Sequence, residues 1–171
     1  MQFSIQREAL LKPLQQVVGV VERRQTLPVL ANLLVKVGGG KLSLTGTDLE
    51  VEMVATTEAD KLADGEVTIP ARKLFDIVRA LPDGARIDVK LNGDRIALNA
   101  GRSRFTLTTL PASEFPTVDE IELVEKVSLP EEALRDLMER TAFAMANQDV
   151  RYYLNGMLLD LQEHTLRCVA T

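Results

Sequence analysis

The chain has 171 residues, 46% of them hydrophobic, 26% charged and 4% aromatic, a composition that supports a packed core and excludes a disordered chain. Its net charge of −5 excludes tight nonspecific nucleic-acid binding through bulk charge, though a local basic face stays open. One cysteine, Cys168, allows no internal disulfide, Met1 to Arg7 lacks a signal-peptide pattern, and no apolar run approaches the roughly 20 residues of a membrane span. No membrane association and a cytoplasmic location are expected.

Phe3-Ser4-Ile5 alternates like a short strand. The stripe Leu10, Leu14, Val17, Val18, Val21 predicts a helix next, with Pro13 imposing a kink or a late start. A polar loop, Glu22 to Thr26, closes on Leu27-Pro28. Leu33 to Val37, the Gly38-Gly39-Gly40 turn and Leu42 to Thr45 read as a hairpin. Leu49 to Val54 is expected to continue the meander, and the acidic residues 58–66 to form a surface loop. Val67 to Pro70 leads into a second helix with the stripe Leu74, Ile77, Val78, Leu81, stopped by Pro82-Asp83-Gly84. Three strands follow at Ile87–Leu91, Arg95–Leu98 and Arg104–Thr108, with Asn92-Gly93 marking a hairpin turn. Residues 111–126 carry two prolines and five acids and read as an interdomain linker. Val127 to Pro130 is then expected to open another strand-to-helix unit, with Leu134, Leu137, Met138, Ala142 and Met145 as its stripe.

A shift of 124 lays residues 4–47 on 128–171 without a gap, with eight identities, and brings helix stripe, loop and hairpin into coincidence. A shift of 60 lays Val67-Thr68-Ile69-Pro70 on Val127-Ser128-Leu129-Pro130. The chain therefore reads as α+β: two βαβββ halves in a complete first domain over 1–117, a linker at 118–126, and a truncated second domain over 127–171. A second copy of equal length would end near residue 248, so a fragment is expected.

Catalytic signals are thin. His164, the sole histidine, falls in a predicted turn, and Cys168 alternates with apolar neighbours as a core thiol does. Glu50 and Glu52 share one strand face and read as solvated. No metal-ligand spacing, phosphate loop or nucleophile–base set appears. No enzyme, metal or cofactor is expected. Charge is segregated: residues 1–24 carry four basic against two acidic side chains, and 71–81 three against one, while 46–66 has seven acids and one lysine. Basic helices suit a polyanion-facing surface, and equally an ordinary solvated one. Arg24 falls on Gln148 at the shift of 124. Arginine binds phosphate and glutamine donates to phosphate or sugar. Tyr152 and Tyr153, at a strand entrance, offer stacking or half-buried packing.

The stretch Gln148-Asp149-Val150-Arg151-Tyr152-Tyr153-Leu154-Asn155-Gly156-Met157, with Thr26-Leu27-Pro28, Leu42 to Glu50, Pro70 to Lys73 and Gly101 to Phe105, resembles the β sliding clamps of bacterial DNA polymerase III. The resemblance covers the whole chain and implies the DNA-clamp fold, in which helices lie on one face of antiparallel sheets. It implies a homodimeric ring of three similar domains per subunit that encircles double-stranded DNA and confers processivity without catalysis. Implied partners are the polymerase III catalytic subunit, the clamp loader, and other polymerases and repair proteins that use a peptide pocket. By the same resemblance Arg24, Arg72, Gln148, Tyr152 and Tyr153 approach DNA. Lys73, Arg95, Arg102, Arg104, Phe105 and Leu107 match the dimer interface, and Leu154 and Thr171 the rim of the peptide pocket. For Phe105 and Leu107 a place in the first domain's core is the alternative. Competing readings are a βαβββ interaction scaffold without DNA contact and an enzyme whose catalytic residues lie after Thr171.

Overall fold

The computed structural model describes residues 1–21, 27–117 and 126–171, with the backbone alone at 61 and 62. Contacts divide the chain into two compact units, Met1–Asp119 and Glu120–Thr171.

The first unit is built from two similar halves. In the first, strand β1 (Gln2–Gln6) and helix α1 (Arg7–Val17) lead to β2 (Asn32–Gly38), β3 (Lys41–Thr47) and β4 (Glu52–Glu58). In the second, β6 (Gly65–Pro70) and α2 (Ala71–Ala80) lead to β7 (Arg86–Asn92), β8 (Arg95–Ala100) and β9 (Ser103–Thr108), with a short strand β5 (Asp60–Ala63) between the halves. The halves exchange their first strands. One sheet runs β5-β1-β7-β8-β9 and the other β4-β3-β2-β6, so β1 pairs with the second half and β6 with the first. All pairings are antiparallel.

Period-two alternation places Leu33, Val35, Val37, Leu42, Leu44, Val67, Ile69, Ile87, Val89, Ile96 and Leu98 inward. They form one core with Leu10, Leu14 and Val17 of α1 and Leu74 and Val78 of α2. The hairpin β2–β3 closes at Gly38↔Lys41 through Gly39 and Gly40, with φ of 58° and 79°, the left-handed pair that a two-residue I′ turn requires. Helix α1 starts at Arg7 and accommodates Pro13 as a buried interior residue, so the expected late start does not occur.

Three elements depart from the sequence expectation. Leu49 to Val51 does not extend β4: the Asp48 carboxylate accepts the Glu50 and Val51 amides at 2.9 and 2.7 Å, and Leu49 adopts φ 79°. This local side-chain turn overrides the apolar alternation, so Glu50 and Glu52 do not share a strand face. Within the acidic stretch 58–66, β5 pairs with β1 as a short sheet edge. Charged residues are what such an edge carries. Val127 to Leu129, finally, is not a strand. Its counterpart β1 is paired on both sides, by β5 and β7, whereas residues 127–129 join no sheet among the described residues.

In the second unit α3 (Glu131–Ala142) is followed by a 3-10 turn at Tyr152–Asn155 and the hairpin β10 (Leu158–Gln162) and β11 (Thr165–Val169). The shift of 124 holds to the residue: Leu34↔Thr45 and Gly38↔Lys41 recur as Leu158↔Val169 and Gln162↔Thr165. The 3-10 turn at Pro28–Ala31 likewise recurs at Tyr152–Asn155. No helix among the described residues is long and apolar enough to cross a membrane.

Candidate nucleic-acid interface

Helices α1 and α2 pack against each other, and their outer faces carry the polar residues. Glu8, Lys12, Gln15 and Gln16 of α1, and Arg72, Lys73, Asp76 and Arg79 of α2, are exposed. Two arginines, each in the first turn of its helix, tie the two helical segments together. Arg7, one position into α1, donates to the carbonyls of Val78 (3.2 Å) and Arg79 (3.1 Å) at the end of α2. Arg72, in the first turn of α2, donates to Val21 O at 3.0 Å, just after α1. Cationic donors at helix C-terminal carbonyls are favourable. Arg7 also meets Asp83 at 2.7 Å and is therefore spent inside the unit, which lowers the basic count that the sequence assigned to residues 1–24. Arg79 pairs with Asp76 at 3.2 Å and lies 5.3 Å over the Phe75 ring. Arg72 and Lys73 are neighbours on the exposed side of α2, while Arg24 lies outside the described residues.

Gln148 stands exposed in the second unit with φ 57°, a left-handed conformation unusual for glutamine. The tyrosines that follow are not a strand entrance. They occupy the 3-10 turn, ahead of β10. Tyr152 is 83% and Tyr153 68% exposed, their rings 6.0 Å apart and edge to face. Neither is half-buried packing, so both side chains are exposed for contact.

The remaining site residues fall in two places. Arg95 and Arg104 are exposed on β8 and β9, and Arg102 on the turn between them. Phe105 and Leu107 lie opposite Leu98 and Ile96, half-buried against the core. The outer edge of β9 has no strand beside it among the described residues. Leu154 is half-buried and donates its amide to Arg151 O at 2.9 Å, and Thr171 is exposed. A groove of about 350 Å³ on the second unit is lined by Leu129, Ala133, Leu134, Leu137 and Leu166 with Asp136 and Arg140, and neither Leu154 nor Thr171 belongs to it. His164 sits in the β10–β11 turn and Cys168 is buried, accepting from Thr141 Oγ1 at 3.4 Å. Among the described residues no three His, Cys, Asp or Glu side chains gather as a metal site.

Sequence reasoning passed over the polar network around residues 149–155. Asn155 Oδ1 accepts the Asp149 amide (2.9 Å), and Asn155 Nδ2 donates to Asp149 O (3.0 Å). The Asp149 carboxylate accepts the Arg151 amide at 2.8 Å and its guanidinium at 3.1 and 3.0 Å. The Arg151 guanidinium and amide hold the Asp149 carboxyl below the usual carboxylate range. Asp side chains commonly bond the backbone two residues on, and that was the available signal.

Strand-exchanged βαβββ halves, followed by a unit that repeats their opening, are shared with solved bacterial sliding clamps. The chain superposes over its whole length on the DNA polymerase III beta subunit of Pseudomonas aeruginosa (TM-score 0.96, 59% identity, 47% of that chain). It matches the corresponding protein of Caulobacter crescentus similarly (TM-score 0.94, 40% identity, 47% of that chain). Residues 1–119 match the model of the DNA polymerase III beta subunit, N-terminal domain, and 128–171 that of its central domain. The chain belongs to the DNA polymerase III beta subunit family. It is 60% identical to the beta sliding clamp of Pseudomonas putida and 55% to that of Salmonella typhimurium, in each case along its full length and over 47% of the relative. It thus spans about half the length of the curated relatives it matches.

Proposed function

We propose that this chain serves as part of a ring-shaped sliding clamp that encircles duplex DNA and tethers the replicative polymerase, acting in the cytoplasm without catalysing synthesis itself. The observation that carries this reading is family membership in both units. Arg24, Arg72, Gln148, Tyr152 and Tyr153 are the DNA-facing residues. Lys73, Arg95, Arg102, Arg104, Phe105 and Leu107 form one side of a homodimer interface, where basic side chains beside an open strand edge suit an acidic partner surface. Leu154 and Thr171 contribute to a pocket for peptide motifs of the polymerase III catalytic subunit, the clamp loader, and other polymerases and repair proteins.

A topological link needs only weak contacts, since each phosphate neutralised adds salt-dependent affinity and slows sliding. The chemistry of the proposed face agrees: a few cations, one amide and two tyrosines on a chain of net charge −5. Charge reversal separates this reading from a scaffold that never meets DNA. In a protein carrying this chain and the rest of the relatives' length, Arg24→Glu with Gln148→Glu is expected to reduce loading and retention on DNA several-fold. Unchanged loading and retention would remove both residues from the DNA face.

A further inference from the structure

The segment that presents Gln148 and the tyrosines is more exposed than its backbone order alone accounts for. Val150 is 96% exposed and Tyr152 83%, so packing alone does not fix it. One backbone bond, from Ala146 N to Leu154 O at 2.9 Å, ties down its far end, and two side chains hold the rest. Asn155 pairs its amide with both backbone groups of Asp149, at 2.9 and 3.0 Å, closing a ring around residues 149–155. Asp149 then holds Arg151 by its amide and by a two-pronged bond to Nε and Nη2, at 3.1 and 3.0 Å, the geometry in which a carboxylate binds guanidinium most firmly.

The repeat shows what this clip is not for. At the shift of 124, Asn155 falls on Ala31 and Asp149 on Gln25, yet Pro28–Ala31 forms the same 3-10 turn as Tyr152–Asn155. In the first unit that turn forms without Asn155's counterpart, on Pro28 and the buried Val29 and Leu30. What lies inside the clip, or next to it, is Gln148 in its left-handed conformation, Arg151 and the exposed tyrosine pair. Strain of this kind persists where the surroundings over-determine it, commonly at functional sites.

We propose that Asn155 and Asp149 are positioning residues for the nucleic-acid contact of the second unit. Asn155 fixes the backbone that presents Gln148, Tyr152 and Tyr153, and Asp149 keeps the Arg151 guanidinium off the phosphates. The proposal rests on the DNA-facing reading of those three residues. Its consequence is a contact made by pre-shaped neutral groups, with one nearby cation held in reserve by its own carboxylate. Such a contact guides duplex without gripping it.

The test is duplex binding by the 171-residue protein, followed by fluorescence anisotropy between about 20 and 200 mM salt, where each phosphate contact contributes a slope of about −0.9 in log K against log salt. Asp149→Asn is expected to tighten binding several-fold and steepen the slope by about 0.9, one added phosphate. The double variant Asp149→Asn with Arg151→Ala should return to the parent slope. Asn155→Ala should weaken binding several-fold at unchanged slope, and speed amide exchange at Asp149 and Arg151 while leaving α3 as it was. A parent slope in Asp149→Asn, or a parent affinity in Asn155→Ala despite faster exchange, overturns the proposal and leaves the clip a local staple. Affinity that is also indifferent to Gln148→Glu and Tyr152→Ala overturns the DNA-facing reading itself, and the proposal with it.

Discussion

Arg7 and Glu8 show how one exposed-looking dipeptide holds two helices in register. Arg7 reaches the last carbonyls of α2 while Glu8 accepts the Gly84 amide at 2.9 Å in the turn that follows it. Removing Arg7 leaves those carbonyls without their donor, and Arg7→Ala is expected to cost about 1–3 kcal/mol, read as a lowered urea midpoint. The Gly84 amide, with Arg7 beside it, lowers the Glu8 carboxyl below its ordinary value. A carboxyl lowered by folding contributes stability that is fully present above its unfolded value and fades as pH falls through the folded one. Stability measured from neutral pH downward should therefore decline through the acid range, and Glu8→Gln should flatten that decline. An unaltered profile in the variant would show that Glu8 contributes nothing to it.

Helix α1 shows the same economy at the scale of an element. Leu14 is fully buried at its centre, and Leu14→Ala is expected to destabilise the first unit by about 2–5 kcal/mol. Gly46 on β3 lies under the chain end of α1: an added Cβ would stand 3.0 Å from both Val17 O and Leu33 Cδ2. The backbone oxygen cannot swing aside, so Gly46→Ala should cost about 1–3 kcal/mol by forcing the two apart; a thermal midpoint equal to the parent's would show that α1 yields freely. Most of these elements were legible in the sequence because burial imposes period: 3.6 on α1 and α2, and 2 on β2, β3, β7 and β8. The apolar stripe of α3 was legible as well, though none of its residues is fully buried. What escaped was governed by something other than periodicity. Asp48 turned Leu49 to Val51 out of β4 through two amide bonds, β5 hid an edge strand in acidic residues, and Val127 to Leu129 pairs with no strand among the described residues. At the candidate site, Tyr152 and Tyr153 read as a strand entrance because their counterparts precede β2. Asn155 was invisible as a clip because a side chain bonded to backbone six residues away leaves no pattern.

The chain forms two units, and the second repeats the opening of the first, with its hairpin residue for residue in register. The repeat does not carry equal burial. Val35 and Val37 are buried, whereas their counterparts Leu159 and Leu161 are exposed, as are Leu158 and Val169. Fewer buried contacts predict lower local stability, so amides of α3 and β10 should exchange well before those of α1 and β2; equal protection would contradict this. The proposed role, as part of a ring that encircles duplex DNA, is tested more directly by topology than by affinity. In a protein carrying this chain with the remainder of the relatives' length, loaded on nicked circular duplex, the measurement is the fraction still bound after the circle is cut once. The account predicts retention on the intact circle and prompt loss from the free ends once it is linear. Equal retention on circle and line would contradict it.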